Sequence, residues 1–334
     1  MKPRLLVLEL WGLGDLVIVT PFLQAATERY AVTLLARPFA QELRPHFWPE
    51  VEVLPFTAPW TAFHGKYQLW RWPWREIFRL RRQLRSRQFD FAVSARWDPR
   101  DHLALKWSGA RERLGFPRLK SGRYLTRALI LPPPLAHRYE SWRVAGEALG
   151  LKMPPRPAVF AGSALRPPVA LVHSGARLPL RVWPLENFRE IVHRLRQKGM
   201  AVQVACDSNQ IAAWQAAGEV PVCPRSVTEL IGWLKGGGVF IGNDSGPGHL
   251  AAACGLPTFT LFGPQLHEWF APLHPNGEVM EGKACPYKPC SDYCRFAEPF
   301  CLRDISAAEV WPRVETCIKK NLAGLSPPAS NAGG

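Results

Sequence analysis

Phe240-Ile241-Gly242-Asn243-Asp244-Ser245-Gly246-Pro247-Gly248-His249-Leu250-Ala251-Ala252-Ala253 reads as a buried strand, a polar glycine-rich turn and the start of a helix. Backbone N–H groups and the positive end of a helix dipole meet at such a corner, which suits a phosphate or diphosphate. Asp244, Ser245 and His249 add side chains able to grip the rest of a ligand, and Gly246 lets a ligand approach the backbone. A plain corner in which Asp244 or Ser245 only caps the helix is the competing reading.

A second corner lies near the N-terminus. Residues 4–10 form a short apolar run that fits a buried parallel strand, and it stops at Trp11-Gly12-Leu13-Gly14-Asp15. A helical pattern follows over residues 16–29, with Pro21 expected to distort its first turns. A strand is expected over residues 32–36. Strand, glycine turn, helix, strand opens a doubly wound α/β domain. Gly12 and Gly14 allow close approach to a ligand, and Asp15 sits where it either caps a helix or faces a reacting group. The spacing is not the dinucleotide fingerprint, because Val17 stands where the third glycine would be.

Further along, a basic helix is expected over residues 75–87 and a strand over 89–94, ending at Arg96-Trp97-Asp98. The proline-rich stretches 153–157 and 166–168 make a plausible linker. The α/β pattern then restarts, with strands over 169–173, 201–205, 239–241 and 258–261. Helices are expected to begin at Trp183-Pro184 and run to Lys198, to begin after the cap Ser226 and end near Lys235, and to close the chain over 309–322. Two Rossmann-like domains follow, one over 1–160 that would bring the Asp15 carboxylate to a reacting hydroxyl and one over 169–322 that would hold a nucleotide diphosphate. Residues 323–334 are expected to be a disordered tail. Two tandem α/β domains place a ligand site in the cleft between them.

The chain has 334 residues, 47% of them hydrophobic, and a formal net charge of +15. That composition is globular. Such a surface attracts nucleic acid, anionic head groups or phosphorylated saccharides. Residues 60–87 concentrate the property around Trp70-Arg71-Trp72-Pro73-Trp74-Arg75. Tryptophan with arginine suits a membrane–water interface, although tryptophans facing a core and arginines facing water would read the same. No apolar stretch is long enough for a membrane span, and Glu9 interrupts the N-terminal run, so a cytoplasmic protein is expected. No nucleic-acid-reading motif is present. Cys285, Cys290, Cys294 and Cys301 cluster in sequence, and structural zinc, reversible disulfides and free thiols all fit their spacing.

Four separated stretches carry a resemblance to glycosyltransferase family 9, the lipopolysaccharide heptosyltransferases. They are Leu6-Val7-Leu8 through Gly12-Leu13-Gly14-Asp15 to Thr20-Pro21; His173-Ser174-Gly175-Ala176 with Arg181-Val182-Trp183-Pro184 and Phe188; Asn243 to Ala253 with Gly255, Pro257 and Leu261-Phe262-Gly263; and the cysteine-bearing segment ending Cys301-Leu302-Arg303-Asp304-Ile305. The resemblance implies a GT-B fold of two facing Rossmann-like domains with parallel sheets. It implies metal-independent, cofactor-free, inverting transfer of a heptose from ADP-heptose to a lipid-linked acceptor such as the lipopolysaccharide inner core. Peripheral binding to the anionic inner membrane would accompany it. Asp15 then matches the general base and Arg181 a charge-stabilising cation. Gly12, Gly14, Ser174, Gly175, Asp244, Ser245, Gly246 and His249 match nucleotide-sugar contacts. The chain departs from the pattern where Arg181 replaces a lysine, and where Cys206-Asp207-Ser208-Asn209-Gln210 replaces a glycine-rich acidic turn. Another nucleotide sugar, another glycan acceptor or a non-catalytic nucleotide-sugar-binding module remain alternatives.

Overall fold

The computed structural model describes residues 2–62, 65–155, 167–290 and 293–322. Of the expected linker stretches 153–157 and 166–168, residues 156, 157 and 166 lie outside the described residues, as does the expected tail over 323–334. The chain divides into two compact units, Met1–Arg156 and Pro157–Gly334.

In the first unit six strands form one parallel sheet: β1 Arg4–Glu9, β2 Ala31–Ala36, β3 Glu52–Pro55, β4 Phe91–Ser94, β5 Glu112–Gly115 and β6 Arg127–Ala128. Their order is β3-β2-β1-β4-β5-β6. The central strand β1 is apolar without alternation because both its faces are covered, and Leu5 through Leu8 are fully buried. In register, Leu5 lies opposite Val32 on one side and Phe91 on the other. The helical pattern after β1 is two helices, Leu13–Ile18 and Thr20–Arg29, rather than one. Pro21 brings no N–H and sits in the first turn of the second, and the Thr20 hydroxyl donates to the Leu16 carbonyl at 3.1 Å. The basic helix spans Trp74–Ser86 and buries Ile77 and Leu84 against Leu6, Leu8, Leu35 and Phe89.

In the second unit β7 Val169–His173, β8 Ala201–Ala205, β9 Val239–Asn243, β10 Thr258–Phe262 and β11 Glu278–Glu281 make a parallel sheet in the order β11-β10-β9-β7-β8. The helix Leu185–Gln197 buries Phe188, Ile191, Val192 and Leu195, an i, i+3, i+4, i+7 stripe. It ends in a Schellman turn. Gly199, at φ +77°, donates to the Arg196 carbonyl, and Met200 donates to that of Leu195. The Ser226 hydroxyl accepts from the Glu229 amide and starts Val227–Leu234. The closing helix Ala307–Leu322 packs Val310, Val314 and Cys317 into the same core as Trp183 and Trp214.

Candidate functional sites at two switch points

Ligands of open parallel sheets sit beyond the carboxyl ends of the strands, where the strand order reverses. In the first unit the reversal falls between β1 and β4. The loop after β1 carries Gly12, Gly14 and Asp15; the loop after β4 carries Arg96. Gly12 is the N-cap of Leu13–Ile18, and Asp15 lies in its first turn. One Asp15 oxygen accepts from the Gly12 amide at 3.0 Å, and the other pairs with the Arg96 guanidinium. Asp15 therefore braces the helix start and presents a paired carboxylate at the switch point. Its side chain keeps about a fifth of its surface accessible, at 20%.

Around that pair lies a buried charge cluster. Glu9, last residue of β1, is 1% exposed and lies 3.9 Å from the Arg96 Nε. Burial pushes its carboxyl up to about 8, against the pull of Arg96 and with the push of Asp15 and Asp101. Asp101 is fully buried, accepts from the Trp60 indole N–H at 2.8 Å, and is pushed up to about 6, chiefly by desolvation. The Arg96 backbone is fixed at both ends. Its amide donates to the Ser94 hydroxyl at 3.2 Å, and its carbonyl lies 3.0 Å from the His102 ring. Its guanidinium lies over Trp11 at 5.2 Å, and Arg138 stacks on Trp97 at 4.1 Å. Burial beside Arg96 pulls Arg138 down to about 10. Glu9, Asp15, Arg96, Arg138 and Trp142 line one small recess.

In the second unit the order reverses between β7 and β9. Here the organising residue is Asn243, at the end of β9 and fully buried. Its amide donates to the Ser174 carbonyl at 2.9 Å, and its carbonyl oxygen accepts from the Trp183 amide at 3.1 Å. One side chain thus staples the end of β9 to both ends of the loop that follows β7. Ser174 is fully buried; its hydroxyl donates to Gln210 at 2.9 Å and accepts from the Trp214 indole at 3.0 Å. The Gly175 amide donates to the His173 Nδ1 at 3.2 Å. Burial lowers the His173 pKa against the opposing pull of Asp207, which suits an acceptor nitrogen. A Cβ on Gly175 would lie 2.4 Å from the Asp207 carboxyl carbon, so no larger residue fits unless Asp207 moves.

Asp244 is buried and pairs with Arg181 at 3.1 Å. Ser245 is the N-cap of Gly246–Ala253 by backbone geometry, yet its hydroxyl bonds to the Asn243 carbonyl at 3.2 Å and no side chain caps the helix. His249 is buried in the first turns of that helix. The structure thus brings Ser174, Gly175, Arg181, Asp244, Ser245, Gly246 and His249 around one switch point, and Gly12, Gly14 and Asp15 around the other. Sequence reading missed Glu9, Arg96, Arg138 and Asn243. A charged residue directly following a buried strand was the available signal for Arg96.

The four clustered cysteines are free thiols, three part-buried and Cys301 buried. Among the described residues no group of three or more histidine, cysteine or acidic side chains is arranged to hold a metal ion. No helix among them is long and apolar enough to cross a membrane.

Residues 141–299 match the model of glycosyltransferase family 9 (heptosyltransferase). A stretch of 114 residues is 33% identical to lipopolysaccharide heptosyltransferase 1 of Pseudomonas aeruginosa, covering 32% of this chain and 32% of that protein. The fold is similar to that of E. coli ADP-heptose lipopolysaccharide heptosyltransferase II, with a TM-score of 0.69, 19% identity and coverage of 95% of this chain and 99% of that one. It is also similar to E. coli heptosyltransferase WaaC solved with ADP-2-deoxy-2-fluoro heptose, with a TM-score of 0.73, 16% identity and coverage of 94% and 99%. A family 9 glycosyl transferase from Veillonella parvula gives a TM-score of 0.74 at 17% identity, over 96% and 98% of the two chains. The GT-B fold expected from the sequence is borne out.

Proposed function

We propose, from the premise that this chain belongs to glycosyltransferase family 9, that it transfers a heptose from ADP-heptose to a hydroxyl of a lipid-linked acceptor with inversion at the anomeric carbon. One observation carries the reading most. The Arg181–Asp244 pair stands beside the amino end of Gly246–Ala253 at the β7/β9 reversal. A helix amino end and a guanidinium suit the diphosphate of a nucleotide sugar, and the buried Asp244 carboxylate holds that guanidinium in place. The ADP-heptose analogue bound by the structurally similar E. coli WaaC supports the choice of donor.

The chemistry follows from the two switch points. The acceptor oxygen attacks the anomeric carbon from the face opposite the diphosphate. Asp15 accepts the proton that this oxygen loses. The bond to the diphosphate oxygen breaks, and ADP leaves with its electron pair. Arg181 and the helix amino end meet the charge that develops there. The Gly12 amide holds one Asp15 oxygen and Arg96 pairs with the other, which fixes the direction of the carboxylate. No step requires a metal ion. The acceptor chemistry places the work at the cytoplasmic face of the inner membrane.

Thermal unfolding with ADP, UDP, GDP and CMP tests the donor. A nucleotide at about a hundred times its dissociation constant adds about 2.7 kcal/mol, a melting shift easily read. A shift with ADP and none with the others is expected. A shift confined to UDP, GDP or CMP would replace the donor, and no shift with any would sink the reading.

A further inference from the structure

Glu9 is an acid that the transfer step leaves unused. It ends the buried strand β1, where Leu5, Leu6, Val7 and Leu8 have no exposed surface, and it is itself 1% exposed. A carboxyl at such a position costs folding free energy that an apolar side chain would not. Its Oε1 accepts from the Trp11 amide at 3.3 Å and lies 3.9 Å from the Arg96 Nε. The Nη2 end of the same guanidinium pairs with Asp15. One cation therefore serves two acids, Glu9 from the end of β1 and Asp15 from the helix that follows the glycine turn.

The surroundings make that sharing consequential. The Arg96 guanidinium lies over the Trp11 ring at 5.2 Å, and its side chain is only 17% exposed. Charges there act more strongly on one another than at a wet surface. Charged groups face Glu9 from each element packed around it: Arg96 from the loop after β4, Asp15 from Leu13–Ile18, Asp101 from Pro99–Ser108 and Arg138 from Arg138–Ala148. Burial raises the Glu9 carboxyl to about 8, so at neutral pH it is mostly uncharged. While uncharged, it leaves the Arg96 charge to Asp15. Once ionised, it draws on that charge and adds a negative charge of its own, and a proton on Asp15 becomes more favourable.

We propose that Glu9 is a positioning residue that sets, through the Arg96 guanidinium it shares, how readily Asp15 takes the proton of the acceptor hydroxyl. The proposal rests on the reading of Asp15 as the base. The proton still passes from the acceptor oxygen to Asp15, and Glu9 acts only through its charge. Neutral Glu9 gives the weaker base and ionised Glu9 the stronger, so turnover gains as pH rises through the Glu9 titration.

Two readouts test it on the full chain. Carbon-13 NMR with labelled aspartate follows the Asp15 carboxylate without any substrate, its signal assigned by its loss in Asp15→Asn. That signal is expected to step between about pH 7 and about pH 9 in wild type. It should stay level in Glu9→Gln, which keeps the shape and cannot ionise. Steady-state kcat with ADP-heptose and an acceptor lipid is expected to rise about fivefold over the same range in wild type and to stay flat in Glu9→Gln. A merely structural Glu9 would instead lower kcat by one factor at every pH. A wild-type Asp15 signal with no step, a flat wild-type profile, or a rise that Glu9→Gln keeps would overturn the proposal. If Asp15→Asn is inactive in the same assay, the base assignment survives that failure. Wild-type turnover by Asp15→Asn would sink the base assignment and the proposal together.

Discussion

The two switch points solve different problems with similar topology. At the first, Glu9, Asp15, Asp101, Arg96 and Arg138 crowd a buried region, and burial, tempered by the neighbouring charges, shifts which groups hold protons. At the second, Asn243, Ser174, Gln210 and Trp214 form a mostly neutral hydrogen-bond scaffold, with the Arg181–Asp244 pair beside it. A site that moves a proton needs tunable charge. A site that holds a diphosphate needs fixed donors and a rigid loop. The contrast supports a division of labour, with proton chemistry in the first unit and anion binding in the second.

The contrast breaks first at Asp15. Asp15→Asn keeps the Gly12 contact but removes the base, so kcat should fall about 10²–10⁴-fold, while nucleotide affinity stays within experimental error. Steady-state turnover with ADP-heptose and an acceptor lipid measures this, and near-wild-type kcat would remove Asp15 from the mechanism. Next in size is the scaffold of the second unit. Asn243→Ala leaves the Trp183 amide and the Ser174 carbonyl without their buried partner and should cost about 3 kcal/mol of stability by denaturant unfolding. A loss below a few tenths would mean that the loops hold themselves.

Asp244→Asn keeps the shape and removes the charge that holds Arg181, so ADP should bind about tenfold more weakly. Unchanged affinity would move the donor site away from this pair. A pH dependence belongs to the first site alone. Glu9 has a folded pKa raised to about 8, above its unfolded value. Between these values the folded protein keeps a proton that the unfolded chain has released. Stability must therefore fall as pH rises, by about 1.4 kcal/mol per pH unit at most, and level off above the folded value. Glu9→Gln should remove that slope between pH 6 and about pH 8. An identical slope in the variant would assign the titration elsewhere.

The sequence made both corners legible because each couples a buried apolar run to a glycine turn and a helix start, all within fifteen residues. The pairings across the sheet were not legible. Arg96 meets Asp15 across 81 positions, and Asn243 reaches Ser174 across 69, so only the strand order brings them together. Glu9 read as an interruption of an apolar run and is instead a buried member of the charge cluster. Asn243 was overshadowed by its neighbour Asp244. Short edge strands such as β3 and β6 carry glutamate, proline and arginine and lack a strand signature. The helix Pro99–Ser108 hid because it buries Asp101 and His102 along with its apolar residues, which erases the amphipathic stripe.

The most direct test of the division of labour is calorimetric titration of ADP into wild type, Asp15→Asn and Asp244→Asn, side by side. The account predicts equal affinity for wild type and Asp15→Asn, and about tenfold weaker binding for Asp244→Asn. Weaker binding in Asp15→Asn with full affinity in Asp244→Asn would place the nucleotide in the wrong unit and contradict it.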